Sequence, residues 1–113
     1  MLRLRQLALA AAKRDPVIDE LRAFLAVPLG YIDPGVGAFG LENRLLVVGD
    51  DHLEVVSPVE EHTTAGRWLE RQGGDAGYMV IFQCDNLAER RVHFAELGVR
   101  TVWTSDRAEA IAS

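Results

Sequence analysis

The sequence is poor in cysteine, with Cys84 the only one in 113 residues. A single cysteine cannot form an intramolecular disulfide, and a protein without disulfides is typical of a reducing compartment. Cys84 ends a predicted strand and has no neighbouring base that would activate its thiol. We therefore interpret it as a buried, inert thiol and not as a nucleophile.

Basic residues and long apolar runs are also scarce. The 12 Lys and Arg residues are outnumbered by 17 Asp and Glu, which gives a net charge of -5, and no basic cluster is present. Nucleic acids and anionic membranes require clustered positive charge, so neither is an expected partner. The apolar run near the N-terminus, Leu7 to Ala12, is shorter than the roughly 7–15 residues of a signal peptide core. We expect a cytoplasmic protein in which this run is a strand.

The first 58 residues predict a strand, a helix and three further strands. An apolar strand covers 4–11, and Asp15 with Pro16 predicts a helix start, the aspartate as N-cap. The segment from Tyr31 predicts a strand followed by a glycine-rich turn. Residues 41–48 and 52–57 then predict a hairpin, because the intervening Gly-Asp-Asp is typical turn chemistry. Residues 1–58 are therefore predicted to form a βαβββ module.

The remaining sequence predicts a shorter version of the same unit within one domain, 1–113. A connector, 59–76, carries a short helix capped by Thr63 or Thr64 and ended by Gly73. Residues 77–113 then predict a strand, a helix opened by an Asn86–Glu89 capping box, and a last strand from Val99 to Trp103. A shift of 72 positions aligns Ala23 with Ala95, Leu25 with Leu97 and Val27 with Val99. Together with the matching order of elements, this faint similarity suggests an internal repeat with an incomplete second copy, βαβ.

Several stretches in this order resemble the vicinal oxygen chelate superfamily, the glyoxalase, bleomycin-resistance and dioxygenase proteins, and its glyoxalase-like members in particular. They are RQLALAA, FGLEN, VVGDDHLEVVSP, TAGRWLERQGGDAGYMVIFQCDNL and FAELGVRTVW. The resemblance implies an α+β fold of paired βαβββ modules, the glyoxalase/bleomycin resistance/dihydroxybiphenyl dioxygenase fold. The curved sheets of such modules form a cup.

The resemblance also implies positions for a divalent metal, on the first and last strands of each module. Gln6 and Glu54 match two of these positions, Tyr78 matches a third, and the fourth would come from a strand that the sequence lacks. Two ordinary ligands hold Zn, Ni, Mn or Fe weakly, because such ions prefer three or more donors. We expect no tightly bound metal, and we interpret His52 as a surface histidine beside the turn and not as an added ligand.

Three functions remain open at this point. The first is binding of a small molecule in the cup, with a degraded metal site. The second is a metal-dependent lyase, isomerase or dioxygenase in which Glu54 also transfers a proton. The third is a non-catalytic module that forms a homodimer, since the short second module would leave a strand edge exposed. The residues expected to line the cup share one face of their strands: Gln6, Ala8, Glu54, Val56, Tyr78, Val80 and Phe82.

Overall fold

The computed structural model describes residues 1–104, which form four strands, three α-helices and one 3₁₀ helix. The strands are β1 (Leu2–Ala10), β2 (Leu41–Val48), β3 (Asp51–Pro58) and β4 (Ala76–Cys84). The helices are α1 (Arg14–Leu25), α2 (Thr64–Gln72) and α3 (Leu87–Glu96), and the 3₁₀ helix covers Pro34–Phe39. No helix in this range is both long and apolar enough to cross a membrane.

The four strands form one mixed sheet in the order β2-β3-β1-β4. β1 runs parallel to β3 and antiparallel to β4, and β2 runs antiparallel to β3. Because β1 and β3 are parallel, the chain needs a crossover between them, and α1 lies within it. The predicted α+β class is confirmed.

Alternation along β1 divides the sheet into two faces. Leu9 packs beneath α1 in a cluster whose buried members are Ala11, Ile18, Leu46 and Val55, and we call this side the helix face. Gln6, Ala8 and Ala10 are buried on the opposite side, which we call the cup face. One end of the cup face is covered by α2, where Ala65 and Trp68 pack against Ala10 and Val56.

The helix boundaries follow the predicted signals only in part. Thr63 caps α2, its hydroxyl accepting a hydrogen bond from the Gly66 amide at 2.9 Å, and Gly73 ends the helix in the left-handed conformation, as predicted. The N-cap of α1 is Lys13, so the prediction of Asp15 was wrong. Asp15 lies inside the first turn, where its negative charge interacts favourably with the positive end of the helix dipole. The Asn86 side chain accepts from Arg90 and forms no capping box.

Two predicted strands are not formed. Near Tyr31 only an isolated bridge to Leu45 is present, because Pro34 and the glycines after it start the 3₁₀ helix. The prediction of a last strand from Val99 to Trp103 was also wrong. The outer edge of β4 is unpaired within residues 1–104. The apolar pattern from Val99 to Trp103 therefore does not add a strand to the sheet. The second unit is therefore β4–α3 and not βαβ; residues 105–113 lie outside the described range.

Gly30 fixes the approach of the Tyr31 segment to β2. An added Cβ at residue 30 would lie 1.5 Å from the Leu45 carbonyl oxygen, whereas one at Gly37 would meet nothing within 4 Å. We predict that Gly30→Ala lowers the free energy of unfolding by about 1–3 kcal/mol, the usual effect of overpacking. Gly37→Ala is the matched control and should change it by less than about 0.5 kcal/mol. Urea denaturation measures both, and equal stabilities would contradict the close approach.

Candidate functional site

Glu54 lies in the middle of the cup face and is only 6% exposed. Its cross-strand neighbours are Ala8 on β1 and Leu45 on β2, both buried and apolar. An ionised carboxylate in such surroundings is unfavourable unless polar groups compensate for the lost water. The structure must therefore supply hydrogen-bond donors at this point.

Two side-chain amides supply them. The Gln6 Nε2 donates to Glu54 Oε1 at 2.8 Å, and the Asn43 Nδ2 donates to Glu54 Oε2 at 2.7 Å. Gln6 is 3% exposed and Asn43 is fully buried. We call Gln6, Asn43 and Glu54 the amide cage. Each carboxylate oxygen thus has one amide donor, and bonds to a charged acceptor are stronger than neutral ones.

The amide cage continues into the loop before β2. Asn43 Oδ1 accepts a hydrogen bond from the Asp33 backbone amide at 3.1 Å. The Asp33 carboxylate in turn accepts from the Gly35 amide at 2.9 Å and caps the 3₁₀ helix. Asn43 therefore uses both ends of its amide, and it joins the central carboxylate to the segment beside the cup.

Sequence reasoning missed Asn43. It occupies an inward position of β2, between the apolar residues Leu41 and Leu45, where an amide is unexpected. This contrast with its apolar neighbours could have identified Asn43 as a site residue, because a polar residue on the buried face of a strand needs a hydrogen-bond partner. The partner is Glu54, which the resemblance had already marked.

Burial raises the pKa of Glu54 above its ordinary value. The hydrogen bonds from Asn43 and Gln6 favour the charged form and oppose this shift, and the nearby Asp33 adds to it. Burial is the largest effect, so the carboxyl group keeps its proton to a higher pH than an exposed glutamate does.

His52 follows on the same face of β3, beside Gln6 in the parallel register. Its ring meets the Tyr31 ring edge-on, with centroids 5.8 Å apart. Burial, and then the charge of Arg5, lowers the pKa of His52, which favours the neutral ring. The Nδ1 atom is buried and has no hydrogen-bond partner within residues 1–104. His52 is therefore half-buried on the cup face and is not simply a surface histidine.

The predicted wall on β4 is only partly correct. The register places Met79 opposite Ala8 and Ile81 opposite Gln6, so these two residues lie on the cup face. Val80 lies opposite Leu7 and therefore belongs to the helix face, contrary to the prediction. The cause is a β-bulge, because β4 advances two residues, from Gly77 to Met79, while β1 advances one.

The other expected wall residues are also distributed differently. Tyr78 is the extra residue of the bulge, and it packs with Val56 in the cluster beneath α2. Both therefore lie at the covered end of the cup face. Phe82 lies opposite Leu4 near the end of β4 and is largely exposed. Of the predicted residues, Gln6, Ala8 and Glu54 form the centre of the site.

The amide cage does not fit a divalent metal. A cation between Gln6 and Glu54 would need the amide oxygen, but the amide nitrogen faces the carboxylate, and Asn43 occupies its second oxygen. No group of three His, Cys, Asp or Glu side chains suited to a metal occurs in the described part of the chain. Such ions require three or more donors, so we derive no step through a metal. That the protein holds none tightly stays a prediction.

The contribution of Asn43 can be measured directly. Asn43→Leu leaves Glu54 Oε2 and the Asp33 amide without their partner, and we predict a loss of about 1–3 kcal/mol in unfolding free energy for each group. Ser57→Ala is the control, because Ser57 on β3 is equally buried but its hydroxyl has no partner within residues 1–104. That variant should be neutral or slightly stabilised in urea denaturation. Similar losses in both would show that Asn43 has no special role.

The raised pKa of Glu54 predicts a pH dependence with a defined sign. The folded state binds the Glu54 proton more tightly than the unfolded state, so native stability falls as the pH rises through the raised pKa. Glu54→Gln has no titratable carboxyl group, so its stability relative to the native protein should improve as the pH rises from about 4, the ordinary range of glutamate, towards neutral. Urea denaturation across this range measures the difference, and the exposed Glu61→Gln should instead parallel the native protein. A difference that does not change with pH would contradict the shift.

Comparison with known proteins identifies the fold. No family model and no curated protein sequence matches the chain. Among solved structures, a Streptomyces coelicolor methylmalonyl-CoA epimerase in complex with 2-nitronate-propionyl-CoA is similar with a TM-score of 0.77 and 17% identity, covering 97% of this chain and 81% of that one. The epimerase from Mycobacterium tuberculosis gives 0.77 and 19%, covering 96% and 73%. A hypothetical protein from Bacillus halodurans gives 0.76 and 16%, covering 86% and 69%.

These similarities extend over nearly the whole chain and over the sheet that carries the amide cage. At such identities they establish the architecture alone. The chain has the fold of the vicinal oxygen chelate superfamily.

Proposed function

We propose that this protein binds a small organic molecule on the cup face, above the amide cage. The observation that carries the proposal is a buried carboxylate held by two buried amides in the middle of an otherwise apolar sheet face. Apolar residues of similar volume are often as stabilising as a buried charged network. A polar cluster retained at such a position is therefore typical of a functional site.

The shape of the cup face supports binding. Helix α2 covers the end near Ala10, whereas the end near His52 is open. Apolar or aromatic side chains are about two-fifths exposed in the middle of the cup face and towards its open end: Tyr31, Val47 and Met79. Ligand sites are mostly apolar with a few convergent polar groups, and this face has that composition.

The similar structures agree with this proposal in general terms. A methylmalonyl-CoA epimerase in complex with methylmalonyl-CoA has a TM-score of 0.78 to this chain at 17% identity, and the Streptomyces coelicolor structure contains 2-nitronate-propionyl-CoA. Both are small organic ligands on the same fold. Because one fold carries many chemistries, we do not transfer their substrate to this chain.

The raised pKa of Glu54 favours a second candidate, an enzyme that transfers a proton. A carboxyl group that keeps its proton to a higher pH is suited to general acid–base chemistry. However, both Glu54 oxygens accept hydrogen bonds from amides, and the side chain is buried. A reacting group would have to displace one amide, so binding accounts for the geometry better. The metal-dependent reactions have no support from the donor set.

Binding on the cup face can be tested with a matched pair of variants. Val47 and Val48 are neighbours on β2 with similar exposure, but Val47 pairs with His52 on the cup face whereas Val48 points to the helix face. We predict that native mass spectrometry of protein purified without chelator shows a bound organic molecule and no stoichiometric metal. Val47→Arg should lose that molecule, because the side chain enters the open end, and Val48→Arg should keep it.

The outcomes of this experiment separate the candidates. Loss of the molecule from Val48→Arg alone would place binding on the helix face and contradict the proposal. A stoichiometric metal that disappears in Glu54→Ala would restore the metal-dependent enzyme. Both variants must first give the circular dichroism spectrum of the native protein.

We also propose a homodimer. No strand within residues 1–104 pairs with the outer edge of β4, where Val80 and Phe82 are exposed, and no residue of α3 is buried. Unpaired edges and exposed apolar surfaces are usually covered by association. A second copy of β4 and α3 would cover both.

Light scattering tests the assembly. We predict twice the 12.5 kDa chain mass at micromolar concentration. Phe82→Glu should shift the protein toward the monomer, because it places a charge beside the β4 edge. Phe24→Glu is the control, since Phe24 is 86% exposed on α1, away from that edge. A native monomer with a cooperative thermal transition would refute the dimer.

A further inference from the structure

Only the nitrogen of the Gln6 side-chain amide has a hydrogen-bond partner within residues 1–104. This nitrogen donates to Glu54 Oε1 at 2.8 Å. This fixes the direction of the amide oxygen. Gln6 is 3% exposed, and its Oε1 accepts no hydrogen bond from residues 1–104. The Gln6 amide oxygen is thus a buried, oriented acceptor that lacks a donor in this range.

A second polar atom that is unpaired within residues 1–104 belongs to the neighbouring residue on β3. His52 is the cross-strand neighbour of Gln6 in the parallel register, so both residues lie on the cup face on neighbouring strands, whose backbones are about 5 Å apart. The His52 Nδ1 is buried and has no partner in the same range, and the edge-on contact with Tyr31 holds the ring. A neutral imidazole nitrogen can donate or accept, depending on its tautomer.

Leaving two buried polar atoms unpaired is unfavourable. A ligand that pairs with both recovers much of this free energy when it binds. The ligand must donate to Gln6 Oε1, which only accepts, and it can accept from His52 Nδ1–H. Ethers, ketones and carboxylates carry no donor for Gln6. A hydroxyl group both donates and accepts, so it satisfies the two atoms together.

From this pairing we propose that Gln6 and His52 form a recognition pair for a hydroxyl group on the ligand. The inference rests on the proposed binding at the cup face and adds the chemistry of the ligand. The hydroxyl enters from the open end, and the exposed side chains of Val47 and Met79 contact the apolar body that carries it. The amide cage positions Gln6 and does not itself contact the hydroxyl.

Two small probes of nearly equal shape test the pair. Phenol has a hydroxyl group, and anisole, its methyl ether, has no donor. Both are titrated into dialysed, ¹⁵N-labelled protein, and the Gln6 side-chain amide and the His52 ring nitrogens are followed by NMR. We expect phenol to shift both signals and to bind roughly three- to tenfold more tightly than anisole, as one net hydrogen bond allows.

Variants of His52 give the matched control. An asparagine amide reaches the position of the imidazole Nδ1, whereas a glutamine amide reaches that of Nε2. His52→Asn should therefore keep the preference for phenol, and His52→Gln should reduce it to about one, with unchanged melting temperatures in both. A merely structural role for His52 would change stability and leave the ratio of the two affinities unaltered.

The possible results are distinct. Equal affinities for phenol and anisole in the native protein overturn the recognition pair while leaving binding at the cup face intact. A preference for phenol that survives in His52→Gln overturns the role of His52. If neither probe shifts any signal from the cup face, the proposed binding function fails together with this inference.

Discussion

The parallel pairing of β1 with β3 is the constraint on which the site depends. It places Ala8 beside Glu54 and Gln6 beside His52, so residues far apart in sequence share one face. The hairpin from β2 to β3 then brings Asn43 to the same carboxylate. A shift of one residue in either pairing would turn these side chains to the opposite face, beneath α1, where no amide donor would meet Glu54.

Because the amide cage is buried, its hydrogen bonds depend on one another. Glu54 is tolerated in an apolar face only while Gln6 and Asn43 donate to it, and Asn43 keeps its orientation through the Asp33 amide. In a medium of low dielectric constant such a network is stronger than the same bonds in water, and an incomplete one is more unfavourable. The hydrogen bond to Glu54 also orients the Gln6 amide, whereas the His52 ring meets the Tyr31 ring edge-on.

Much of the fold could be predicted because its signals are local. Alternation defined β1, β2 and β3, helical periodicity defined α1, and the caps Thr63 and Gly73 bounded α2. The resemblance predicted that Gln6 and Glu54 share the cup face, and the structure joins them by a hydrogen bond. What failed depends on pairing between distant segments. The bulge at Tyr78 places Val80 on the helix face. The segment from Val99 to Trp103 forms no strand.

The separations within the amide cage have a consequence for folding kinetics. Asn43 and Glu54 are 11 residues apart across a hairpin, whereas Gln6 and Glu54 are 48 apart across a parallel pairing. Closing the shorter loop loses less entropy and is faster, and parallel pairings form slowly. We expect the Asn43 contact to form while Glu54 is still hydrated from its other side. The last water would leave the carboxylate only when β1 docks, which makes docking of the N-terminal strand the step at which the charge is buried.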